Sequence, residues 1–136
     1  MAAISDYLEE NLVKHMFRTG SYTKPTTLAI ALFTSNPVET GVAGEVSGGS
    51  YARVEVPPGD ANWAATSGAD GHTSNVAAIT FPIPSADWGY ATHFAIFDDP
   101  SAGNMLFHAQ LMSPMAINSG DPAPRFGAGE LDVTFD

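Results

Sequence analysis

The stretch "ATHFAIFDDPSAGNMLFHAQL", residues 91–111, decides the fold. From Ala91 to Asp99 the side chains alternate, with Phe94 and Ile96 opposite His93, Ala95 and Phe97. From Gly103 to Leu111 the same period places Met105, Phe107, Ala109 and Leu111 on one face. Between the two runs lies Asp98 to Asn104, rich in Asp, Pro, Gly and Asn, which bend the chain. Period-two runs on either side of such a loop predict an antiparallel hairpin whose apolar side chains meet across the ladder.

Working outward, "TLAIALFT" (27–34) is apolar at both odd and even positions. That pattern predicts a central strand covered on both sides. "YARVEV" (51–56) sets Ala52, Val54 and Val56 against Tyr51, Arg53 and Glu55, as in a half-buried strand. "SNVAAITFP" (74–82) reads as a further strand ending at Pro82. "ELDVTFD" (130–136) reads as a last one, with Leu131, Val133 and Phe135 turned inward. Turn-rich segments separate them: "NPVETGVAG", "PPGDAN" and "NSGDPAPRFGAG". Many short strands punctuated by Gly and Pro predict a mainly β fold, an antiparallel β-sandwich or barrel-like domain. No internal repeat is visible.

One segment speaks another grammar. "SDYLEENLVKHMFR" (5–18) spaces Leu8, Leu12, Val13, Met16 and Phe17 three and four residues apart, which predicts an amphipathic helix. Asp6 with Glu9 resembles a capping box, and Ser5 is the alternative cap. Lys14 and Arg18 suit the negative end of the helix dipole, and Gly20 is a stop. The expectation is a single domain over residues 1–136, with an N-terminal α-helix at 5–19 and a β domain at 26–136.

Composition narrows the function. The chain has 136 residues, no cysteine and a formal net charge of -10 from 15 acids against 5 Lys and Arg. Disulfides and thiolate metal sites are excluded. No Lys or Arg stands between Arg53 and Arg125, so a basic stripe for phosphates is lacking and direct nucleic-acid binding is not expected. No apolar run is long enough to span a membrane. The acidic start "MAAISDYLEE" does not read as a secretory leader.

The candidate chemistry is thin. His15, His72, His93 and His108 include no pair at a short metal-ligand spacing, and ordinary sheet histidines account for His93 and His108. "DDPSAGN" and "SGADGHTSN" cluster oxygen ligands without the EF-hand spacing, and Asx turns explain both. "GGS" at 48–50 lacks the trailing glycine of a nucleophile elbow. The paired acids Asp98 and Asp99 lie in a turn, which leaves a glycan-processing enzyme as a remote alternative. Trp63 and Trp88 each follow a polar turn and are read as closing the core rather than stacking on a sugar. No cofactor, no metal and no catalytic residue is expected.

The strings "ISDYLEENLVKHMFR", "LAIALFTSNP", "EVSGGSYAR", "ITFPIPSADWGYATHFAIFD", "GNMLFHAQL" and "INSGD…FGAGELDVTFD" resemble, in order and over nearly the whole chain, a family of small virion proteins of tailed bacteriophages. The longer turn "GDPAPRFG" (120–127) departs from it. The resemblance implies a structural protein without catalytic residues. It would be a virion component assembled in the host cytoplasm. Two roles follow from the resemblance: a head decoration or cement protein, and a tail-associated or fibre protein. Capsid decoration is the preferred expectation, because the chain lacks shaft repeats and its acidity suits an outward face. Its partners would be the major capsid protein or other virion proteins, in a homotrimer.

Two sets of residues are candidate subunit contacts. Leu8, Leu12 and Met16 share a helix face that packs either on the sheet or on a neighbouring subunit. Gly48, Gly49 and Tyr51, within "EVSGGSYAR" (45–53), are either a turn launching a strand or an exposed loop anchored on a neighbour by Tyr51.

Overall fold

The computed structural model describes residues 2–41, 43–66 and 71–135. Its elements are β1 (Ala3–Ile4), α1 (Asp6–Phe17), β2 (Ala29–Phe33), β3 (Val54–Glu55), β4 (His72–Ser74), β5 (Ile79–Thr80), β6 (Gly89–Phe97), β7 (Met105–Ile117), β8 (Arg125–Phe126) and β9 (Asp132–Thr134). All pairings are antiparallel. One five-stranded sheet runs in the order β1-β7-β6-β2-β3, and two ribbons, β4-β9 and β5-β8, accompany it. The fold is mainly β with one short helix near the N-terminus, as expected. Its second layer is two ribbons and loops rather than a second full sheet.

The hairpin at residues 91–111 is present, with Asp98–Asn104 as its loop. β2 lies in the middle of the sheet, all five of its residues buried, because it is apolar on both sides. Ile30 and Leu32 share one face with Phe94 and Ile96, where Phe81, Leu131 and Val133 cover them. Ala31 and Phe33 share the other with Ala95, Phe97 and Met105. Phe33 and Phe97 stack there with centroids 6.2 Å apart.

Simple alternation fails twice in β7. Ile96 pairs with Phe107 and Phe97 with Met105, so Leu106 is an extra residue. That bulge turns Met105 to the opposite face from Phe107 and Ala109, which corrects the expectation that the three share one face. The second irregularity is larger. His93 pairs with Gln110 and Ala91 with Met115, so Thr92 faces the four residues Leu111 to Pro114. Pro114 has no N–H to give the ladder, and the chain bows outward before rejoining it. The strand therefore continues to Ile117 instead of ending at Leu111.

Other boundaries shift for identifiable reasons. The segment 74–82 is two strands in two ribbons, broken at Asn75. The Asn75 side chain is 1% exposed. Its Nδ2 donates to the carbonyls of Ala77 (2.8 Å) and Gly127 (2.9 Å), and its Oδ1 accepts from the Leu131 N–H at 2.9 Å. One amide thus ties the start of β5 to the turn before β9. Of the segment 51–56 only Val54–Glu55 joins the sheet, and Tyr51 packs on the same core as Val54 and Val56. The turn-rich segment 118–129 contains β8, whose Phe126 meets Phe94 edge-on at 5.6 Å. In the last strand Leu131 and Val133 are buried, whereas Phe135 is half exposed against Phe107. Asp136 and part of the "SGADGHTSN" loop lie outside the described residues.

Replacing Asn75 by Ala removes three hydrogen bonds and leaves the buried Leu131 N–H without its partner. Urea unfolding of Asn75→Ala should show a loss of about 3 kcal/mol, against about 0.5 kcal/mol or less for Thr80→Ala on the exposed side of β5. Equal effects at the two positions would contradict the pinning role.

Candidate interaction surface

The string "EVSGGSYAR" is a clamp that joins the edge of β2 to the loops beside it. Glu45 makes a bridge to Phe33 on the free edge of β2, and Val54 and Glu55 pair further along that edge. Between these points the chain leaves the sheet. Its departure deprives the Leu32 N–H of a backbone partner, and the Tyr51 hydroxyl accepts that hydrogen bond at 3.0 Å. The same hydroxyl donates to Glu45 Oε1 at 3.0 Å. Arg53 grips the Glu45 carboxylate with Nε and Nη2, both at 2.8 Å. Its Nη1 donates to the carbonyls of Asp99 (2.9 Å) and Ala102 (2.8 Å) in the hairpin loop. The guanidinium lies 3.7 Å above the centre of the Phe97 ring.

The paired glycines make the excursion possible. Gly48, Gly49 and Ser50 have φ of 75°, 56° and 66°, three successive residues in the left-handed region. Gly49 turns its carbonyl to the Trp88 indole N–H at 2.8 Å, and the Trp88 ring meets Tyr51 edge-on at 5.3 Å. A Cβ on Gly49 would stand 2.9 Å from Trp88 Nε1, whereas one on Gly48 would meet nothing. Tyr51 therefore points into the molecule, as an internal brace. Gly48 is the open position of the loop. Trp88 is buried, and Trp63 is partly buried with its N–H on the Val56 carbonyl, so both tryptophans close the core.

The helix divides its apolar face. Ser5 caps it, accepting from the Leu8 N–H and donating to the Met105 carbonyl. Leu8 is buried and Leu12 is half-buried against the core. Beyond them α1 leaves the sheet. Met16 is 70% exposed and Phe17 79%. Leu8, Leu12 and Met16 therefore do not form one shared contact surface.

A second apolar surface went unread in the sequence. The bowed segment Leu111–Pro114 stands away from β6 and opens a groove of about 550 Å³. Leu32, Phe94 and Phe126 are among the residues lining it, and Arg125, Glu130 and Asp132 are its charged groups. Met112 beside it is 95% exposed. Its sequence signal is Pro114 within a long strand.

The polar candidates are spent locally. Asp98 accepts from the Asn104 N–H, and Asp99 accepts from the Ser101 and Ala102 N–H groups, which holds its carboxyl below the usual range. His93 and His108 are not directly opposed: His93 pairs with Gln110 and His108 with Ala95. His108 meets Glu39 at 3.3 Å, and His72 meets Asp132 at 2.9 Å. Burial, with His108 nearby, lowers the His93 pKa. Among the described residues no group of three metal-ligating side chains is placed to hold an ion, and no helix is long and apolar enough to cross a membrane.

Residues 3–134 match the family model described as podophage GP4 fiber I protein gp80, and the chain belongs to that family of small virion structural proteins of tailed phages. No curated protein matches it.

Two outcomes test the clamp. Gly48→Ala should cost about 1 kcal/mol, the left-handed backbone alone, and Gly49→Ala should cost more because it also crowds Trp88. Thermal melts of the pair measure the difference. Burial, above all, pushes the Tyr51 phenol far above its ordinary value, and Tyr22 moves in the same direction. A proton held more tightly in the folded state stabilises fully below the unfolded phenol value of about 10 and is lost as pH rises beyond it. Urea midpoints should therefore fall above about pH 10, and less steeply in Tyr51→Phe.

Proposed function

We propose that this member of the podophage fiber I protein gp80 family is a non-catalytic component of the phage tail apparatus, a fiber or tail-associated protein that assembles as a closed homo-oligomer, with three copies the expected number. The match over residues 3–134 carries the reading, since the family is described as a fiber protein. That description favours the tail-associated role over the capsid decoration or cement role preferred from sequence. Its partners are then other virion proteins of the tail rather than the major capsid protein.

The physical features fit a building block. Arg53, Glu45, Asp98 and Asp99 all serve to fix loops, so the paired acids that suggested a glycan-processing reaction are engaged in structure. Met16, Phe17 and Met112 are large apolar side chains held out from the body on ordered elements, as a surface completed by assembly would have them.

Purified particles decide the location. Antibody labelling should fall on the tail, and gel densitometry should give a small multiple of three or six copies per particle. Hundreds of copies distributed over the head would overturn the tail assignment and restore decoration.

A further inference from the structure

We infer that a second copy of this chain fills the groove beside β7, inserting Met16 and Phe17 from the end of its own α1. The inference rests on reading the protein as a self-assembling virion component and supplies the surface by which it assembles.

The inserted part is a preformed apolar knob. Met16 and Phe17 are adjacent, 70% and 79% exposed, at the end of a capped helix whose other end is bonded into the sheet. Their exposure also shows that the helix does not fill its own chain's groove. The helix is fastened at Ser5, whose N–H donates to the Leu106 carbonyl, whereas the groove opens along Ala109 to Ile117. Knob and groove are thus separate patches, and their union is head-to-tail.

The receiving part matches in chemistry. Its floor is apolar, with Leu32, Phe94 and Phe126, and its volume of about 550 Å³ lies in the range of side-chain and ligand pockets. Charge selects the partner. Residues 14–24 hold Lys14, Arg18 and Lys24, three of the five cations, and no acid. Lys14 pairs with Glu10, and among the described residues Arg18 and Lys24 have no ion-pair partner. From residue 25 onward the chain has twelve acids and two arginines. The groove itself carries Glu130 and Asp132 against Arg125. A cationic apolar knob and an acidic apolar groove on one molecule complement each other, whereas two acidic bodies repel.

The absence of cysteine makes the test clean. Thr19→Cys, just past the knob, and Ser113→Cys, on the groove wall, are mixed and treated with a short bismaleimide. A Thr19→Cys and Ser101→Cys mixture is the control on the hairpin loop. Cross-linked dimers should form in the Thr19–Ser113 mixture, not in either variant alone and not in the control. They should vanish when Phe17→Asp is added to the Thr19→Cys chain. Sedimentation should show Phe17→Asp weakening self-association by about tenfold or more, with an unchanged circular dichroism spectrum. Cross-links between two copies of Thr19→Cys would assign the contact to paired helices and overturn the inference. So would self-association that Phe17→Asp leaves unchanged. A chain monomeric at every concentration also overturns it, while particle labelling on the tail would leave the fiber reading standing. Wild-type binding to phosphatidylglycerol vesicles that is lost in Phe17→Asp, without cross-linking, assigns the knob to lipid and overturns self-docking.

Discussion

Arg53 is the constraint on which the rest of the molecule depends. The central sheet is apolar on both faces, and on one face its cover is loop rather than strand. Loops carry backbone groups that need partners and have no regular ladder to supply them. One guanidinium resolves this by joining three things: the Glu45 carboxylate at the sheet edge, the carbonyls of the hairpin loop and the face of Phe97. The gain is geometric more than energetic. A largely buried ion pair recovers little net free energy after desolvation, yet its planar fork allows one arrangement of the loops. Tyr51 completes the arrangement by standing in for a missing strand carbonyl.

The sequence is legible where local physics decides. The α1 helix has its cap, its dipole charges and its periodicity within one segment, and it forms where expected. The Asp98–Asn104 loop is fixed by its own Asp side chains, so the hairpin too was legible. The two-sided apolar pattern of β2 reports its central place because nothing interrupts it. The misses come from distant partners. Asn75 breaks a good strand pattern to satisfy groups 52 and 56 residues away, which no window of sequence contains. β8 is two residues long and exists through its pairing with Ile79 and Thr80. The extra residue Leu106 is invisible until the register of β6 is known.

The same distinction governs the interaction surface. Leu8, Leu12 and Met16 step round one side of the helical wheel by about 40° each, and this drift together with the departure of the helix from the sheet separates a buried Leu8 from an exposed Met16. Tyr51 has the composition of an interface anchor and the geometry of an internal brace. The groove arises from two irregularities far apart in sequence, the bow before Pro114 and the turn leading to β9. Neither has a periodic signature, so this apolar concavity is a feature that periodicity does not reveal.

Acidity and assembly follow from one distribution of charge. A net charge of -10 on so short a chain keeps free copies apart, which opposes any association that brings two bodies together at random. Three of the five cations are gathered into residues 14–24, at the end of a helix that projects from the sheet. Repulsion between bodies and attraction at one protruding end together favour contacts that are directional. A directional contact between unlike patches generates a ring or a filament, and which of them forms depends on the rotation between successive copies. In the head-to-tail contact inferred above, that rotation would be set by the angle at which α1 leaves the sheet. The Ser5 cap and the burial of Leu8 fix this angle, so residues at the buried end of the helix control the geometry of whatever its exposed end joins.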